Sequence, residues 1–238
     1  PKAPESPKTP EPKKEPPKPP TKQAATPPDA LATLPGFKVE LLYTADPATE
    51  GSWINLGKDD KGRLVIGGQP KQPVLRATIA DGKVAKMEKL PLPISEVMGV
   101  AFTHGALHLV GNGPAGFGLY RCDSPDGEAF AAPVLLKGLR QGGEHGSHAV
   151  VPGPDGKLYL MCGNFVDPLD DLSKASPHRG YKEDHLLPRQ WDGNGHAAGR
   201  FAPGGVVYRF DPQTKETELL LGGFRNTYDM AFNADGEL

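Results

Sequence analysis

Two short stretches carry side chains with chemistry to offer: EHGSH, which sets Glu144, His145 and His148 close together, and FRN, which places Arg225 and Asn226 far downstream. A histidine near neutral pH accepts a proton from a hydroxyl, and an adjacent carboxylate such as Glu144 orients it or stabilises its charged form. An equally weighted alternative makes both histidines polar loop residues bonded to nearby backbone. A metal asks for more, because strand residues three apart point to opposite faces, so only a turn at Gly146 and Ser147 would aim both imidazoles at one ion. No metal ligand set is therefore assigned. Arg225 stays charged and either stabilises negative charge growing on an oxygen or braces neighbouring elements through backbone carbonyls.

The elements that must position these residues are β-hairpins. The histidines stand at the mouth of AVVPGPDGKLYLMCGN, where Ala149, Val150 and Val151 suit a buried strand, Pro154, Asp155 and Gly156 make a turn, and Leu158 to Met161 return. The same plan recurs in residues 53–69, 97–112 and 228–238, with turn glycines Gly62, Gly105 and Gly236. Third strands follow at residues 74–79, 118–123 and 206–211, and fourth strands around Val84, Val134 and Leu219. Four antiparallel strands returning at intervals of roughly 40 to 50 residues are the signature of propeller blades. The expected fold is all-β, a partial β-propeller: three blades and the opening hairpin of a fourth, which is about half of a closed ring if that ring has six blades. First strands of successive blades converge on the axis, so the entries at His145 and Arg225 are expected to face one pocket. An extra strand is expected at residues 37–43, where FKVELLY begins by alternating apolar and polar side chains. Unpaired edges of such an arc would favour self-association.

Composition agrees and sets limits. The 238 residues include 30 Gly and 27 Pro, which favours turn-rich β structure over a helical bundle. A formal net charge of -2 gives no electrostatic footprint for nucleic acid. No apolar run is long enough to span a bilayer. Cys122 and Cys162 form neither a disulfide framework nor a zinc pattern and are expected as two half-buried strand thiols, and without C-x-x-C-H there is no covalent haem. Residues 1–33 are a Pro, Lys and Glu-rich linker, expected to be disordered or polyproline-like, and residues 34–238 form the propeller. Residues 165–205 interrupt the third blade as a long insertion. Its tail holds Trp191, Asp192 and His196, an aromatic platform beside hydrogen-bonding groups that would suit a sugar or would simply pack on itself.

EHGSHAVVPGPDGKLYLMCGN and GGFRNTYDMAFNADGEL resemble the corresponding stretches of the soluble quinoprotein glucose and sorbosone dehydrogenases, six-bladed propellers that bind pyrroloquinoline quinone (PQQ). LLPRQWDGNGHAAGRFAPGG, between them, looks closer to the propeller of bacterial "membrane-bound dehydrogenase" proteins that also carry helical repeats and a c-type cytochrome domain. The resemblance covers roughly residues 34–238. It implies His145 as catalytic base, Glu144 as the acidic residue before it, Arg225 beside the quinone oxygens and Asn226 as a second cofactor contact. His148, Trp191, Asp192 and His196 would face the substrate, a sugar or related alcohol, and electrons would pass to a c-type cytochrome. His148 stands where the sugar dehydrogenases tend to have a small residue. The basic residues that grip the quinone carboxylates, and the carbonyls that bind calcium, belong to later blades, so this chain alone is not expected to hold PQQ tightly. The resemblance further implies a periplasmic or exported protein, tethered to a membrane through the linker. The alternative from another class is a non-catalytic propeller that binds carbohydrate or a partner domain.

Overall fold

The computed structural model describes residues 24–166 and 204–238. Its strands form three antiparallel four-stranded sheets. The first contains β1 (Trp53–Lys58), β2 (Leu64–Gly68), β3 (Leu75–Ala80) and β4 (Lys83–Lys89). The second contains β5 (Ser95–Thr103), β6 (Ala106–Gly113), β7 (Gly116–Asp123) and β8 (Val134–Gly138). The third contains β9 (Ser147–Pro152), β10 (Leu158–Cys162), β11 (Gly205–Phe210) and β12 (Thr217–Phe224). Each sheet keeps its strands in chain order, and β1 packs beside β5 and β5 beside β9. Three sequential four-stranded blades with neighbouring first strands make this part of a β-propeller, as the repeat predicts.

Period-two alternation explains how one blade serves two interfaces. On β6, Leu107 and Leu109 join Val65 and Val74 of the first blade, together with Leu90, Leu92 and Ile94 of the link between blades. Val110, on the opposite face of β6, joins Leu119, Val150, Leu158, Leu160, Tyr208 and Phe210 in the core between the second and third blades. Cys122 and Cys162 are fully buried in these two cores, not half-buried, and burial pushes their thiols up to about 12 and about 11. The blades also meet backbone to backbone. A Cβ on Gly99 of β5 would lie 2.7 Å from both the His148 carbonyl oxygen and the Val150 nitrogen of β9, so only glycine permits this approach.

The arc has two unlike rims. At one, tight turns close β1 to β2, β5 to β6 and β9 to β10. His104 and Gly105 carry φ of 52° and 65°, and Asp81 and Gly82 between β3 and β4 carry 50° and 68°, as two-residue hairpin turns of primed type require. This rim is cross-tied. The His104 imidazole bonds the Gly156 carbonyl at 2.9 Å, and Arg63 reaches the Gly127 carbonyl and the Glu128 carboxylate of the second blade. The Asp59 side chain is buried and accepts the Lys61 and Arg63 amides and the Arg63 Nε–H, the last at 2.7 Å. At the other rim the chain enters each first strand. There every blade departs from regular register: β1 between Trp53 and Asn55, β5 between Ser95 and Gly99, and β9 opposite Leu160 and Cys162.

Two expected segments differ. Residues 37–43 join no ladder; Phe37 and Leu41 are 73% and 51% exposed. Alternation offered a face to bury, but no described strand edge lies beside it. Residues 228–238 keep the hairpin turn, with Asn233 N–H donating to the Glu237 carbonyl and Gly236 N–H to the Asn233 carbonyl, yet form no strands. Met230 and Phe232 still pack on the far face of the third blade. Residues 1–23 of the expected linker lie outside the described residues, and a 3-10 turn, Pro28–Ala30, stands in its described part. No helix among the described residues is long and apolar enough to cross a membrane.

Candidate functional site

His145 ends a 3-10 turn (Gly143–His145) that leads into β9. Gly142 and Gly143, at φ of 88° and 62°, supply the left-handed backbone that this turn requires. His148 follows inside β9, where four residues (Ser147 to Val150) span the register that three (Leu160 to Cys162) span on β10. That extra residue is a bulge, and a bulge re-aims side chains. His145 itself lies in the turn and not in the strand, so the objection that a regular strand would send residues 145 and 148 to opposite faces does not apply. Among the described residues no three His, Cys, Asp or Glu side chains form a metal cluster.

The two distant stretches meet here. Arg225 Nη1 lies 3.3 Å from His145 Nε2, although 80 residues separate them. A guanidinium only donates, so Nε2 accepts and the His145 proton sits on Nδ1. Nδ1 accordingly donates to Asn164 Oδ1 at 2.7 Å. Asn164 also uses its backbone N–H on the Arg225 carbonyl at 2.9 Å, so one residue holds both partners. The His145 ring stacks on Phe165 with centroids 4.3 Å apart and is 3% exposed, whereas Arg225 is exposed.

A second linkage runs beside the first. His148 Nε2 lies 2.7 Å from Asn226 Oδ1, and Asn226 Nδ2 donates to the Glu144 carbonyl at 3.1 Å. His148 is fully buried against the Tyr228 ring, at 4.5 Å between centroids, and burial lowers its pKa, opposed by the Asn226 bond. Gly163 makes room for both linkages: a Cβ there would stand 2.5 Å from Asn226 Oδ1 and 2.5 Å from the His145 carbonyl oxygen.

Of the residues expected from the sequence, Glu144, His145, His148, Arg225 and Asn226 therefore come together at one rim, while Trp191, Asp192 and His196 lie outside the described residues. Sequence reasoning missed Gly163, Asn164, Phe165 and Tyr228. The C-G-N at the end of the hairpin was visible, but nothing in a single sequence distinguishes a hairpin end from an imidazole partner.

Along the axis below this rim, a cavity of about 320 Å³ is lined by first-strand residues Asn55, Lys58, Val100 and Val150 and by Asp229 and Met230.

No family model matches the chain, and no curated protein matches it. Among solved structures it is similar to the PQQ-bound form of an aldose sugar dehydrogenase from Streptomyces coelicolor, with a TM-score of 0.42 and 18% identity. The match covers 78% of this chain and 64% of that one, so this chain spans less than two thirds of the length of that enzyme. A likeness of this size leaves the ligand and substrate of the Streptomyces enzyme as properties of that enzyme.

Proposed function

We propose that the protein is a quinone-dependent dehydrogenase that oxidises a sugar or related alcohol. The supporting observation is the His145 and Arg225 pair: an imidazole with its proton on Nδ1, and a guanidinium donating to its Nε2. The donor chemistry fits the reactive edge of an anionic quinone such as PQQ, since exposed Arg225 offers charged N–H groups to an oxygen and Asn226 stands next to it. PQQ would supply the two-electron acceptor. With PQQ bound, Arg225 would donate to a quinone oxygen instead of His145 Nε2, which would leave that nitrogen able to accept a proton. His145 then takes the substrate hydroxyl proton on Nε2, with Asn164 Oδ1 holding the ring in orientation and accepting from Nδ1–H as the ring becomes positive. Phe165 keeps water from one face of the ring. The carbonyls for calcium, a c-type cytochrome acceptor and an exported location tethered through the proline-rich stretch belong to the same proposal.

The test is reconstitution of the full-length protein with PQQ and calcium, followed by reduction of an artificial acceptor with a panel of aldoses and polyols. His145→Ala should lower kcat by about 100-fold or more, the scale of a lost general base. Undiminished turnover in that variant, or no quinone binding by the wild-type protein, would defeat the reading.

A further inference from the structure

The orientation of the Asn226 amide is set by its neighbours. The Glu144 carbonyl can only accept, so the group facing it at 3.1 Å is the NH2, and the oxygen faces His148. His148 Nε2 must then carry the proton. Both polar ends of Asn226 have protein partners, one on the residue before His145 and one on a histidine of β9. Asn226 itself follows Arg225 directly. We propose that His148 is a positioning residue, which clamps Asn226 against the Glu144 carbonyl and so anchors the backbone from which the Arg225 side chain reaches the His145 ring.

Three observations support this assignment over that of a substrate contact. His148 is wholly buried, covered by Tyr228 on one side. Its Nε2 makes the short bond to Asn226 Oδ1, and the Glu144 backbone is a further polar contact of the ring, so its polar contacts belong to the linkage with Asn226 and Glu144. Its backbone is seated against Gly99, where a methyl group would not fit, which fixes where the ring starts. The Asn164 backbone N–H holds the Arg225 carbonyl, and the His148 clamp adds a second hold on the next residue.

The clamp rests on the proposed chemistry only for its effect on turnover, so its first test is independent of it. In the full ¹⁵N-labelled chain, the His148 ring should show the Nε2–H tautomer alone, and the Asn226 side-chain amide should exchange slowly. His148→Phe keeps the ring volume and the Tyr228 contact but removes the donor, and should raise Asn226 amide exchange by at least about tenfold, while His148→Gln restores protection. A double-mutant cycle of His148→Phe with Asn226→Leu, read by thermal melting, should be strongly non-additive. An Nδ1–H tautomer at His148, equal exchange in wild type and His148→Phe, or additive melting losses would each overturn the clamp. In PQQ-loaded full-length protein, His148→Phe should lower kcat about 100-fold with little change in KM, and His148→Gln should recover most of it. If the wild type turns nothing over, the dehydrogenase reading fails while tautomer and exchange still decide the clamp.

Discussion

Gly163→Ala is the sharpest test of the site geometry. Its methyl group would meet the His145 carbonyl oxygen at 2.5 Å and the carbonyl carbon at 2.7 Å, with Asn226 Oδ1 also at 2.5 Å. Asn226 can swing its amide aside, but the His145 backbone belongs to a turn closed by the Gly146 N–H on the Gly143 carbonyl, and it accepts from the Phe165 N–H. Restoring ordinary van der Waals contact takes a shift of about 0.9 Å, enough to break the 3.1 Å bond to the Glu144 carbonyl and to open the 3.3 Å approach of Arg225. Overpacking of this kind costs about 1 to 3 kcal/mol, which for a chain of this size lowers Tm by about 3 to 10 °C. Gly138→Ala in β8 is the matched control, because nothing lies within 4 Å of a Cβ there and its backbone is not left-handed. It should melt at or slightly above wild type. Calorimetry of the three proteins side by side reads the difference. If Gly163→Ala melts with Gly138→Ala, the packing between the His145 carbonyl and Asn226 is not as described, and the case for a preorganised site goes with it.

Two further outcomes follow from buried charge. His108 is fully buried, with burial and then the nearby Arg121 and His104 lowering its pKa to about 4, while Asp123 acts in the opposite sense. Its folded pKa lies below the unfolded 6.5, so the unfolded state binds the extra proton first. Stability is therefore full above about pH 6.5 and falls by about 3 kcal/mol as pH drops to 4, and His108→Leu should flatten that limb of a denaturant-melt pH profile. Arg63→Met should cost about 3 kcal/mol in urea melts, because it leaves the buried Asp59 carboxylate without its cation, whereas Glu128→Gln at the exposed end of the same network should shift the midpoint far less; equal losses would refute the distinction.

The blade plan was legible because each first hairpin writes its period of two and its turn glycine into the sequence. Once blades repeat, the meeting of His145 and Arg225 follows from topology alone. The alternation in residues 37–43 failed as a guide because it announces a face and not a partner for the backbone edge. The bulge in β9 was illegible for a different reason: an extra residue shows only against the strand it pairs with, and that comparison between Ser147–Val150 and Leu160–Cys162 exists only in the folded register. The same holds for Asn164 and for the buried bond between His148 and Asn226, where proximity comes from three segments at once. Half-buried cysteines were expected from their strand positions, and both faces of a middle blade turned out to be interior.

The unlike rims have a practical consequence. The reactive side chains cluster where the chain enters the first strands, and the Asp81 and Gly82 turn projects from the other end. That turn is a natural handle: an affinity peptide or surface anchor spliced into it would immobilise the molecule with its working face turned outward.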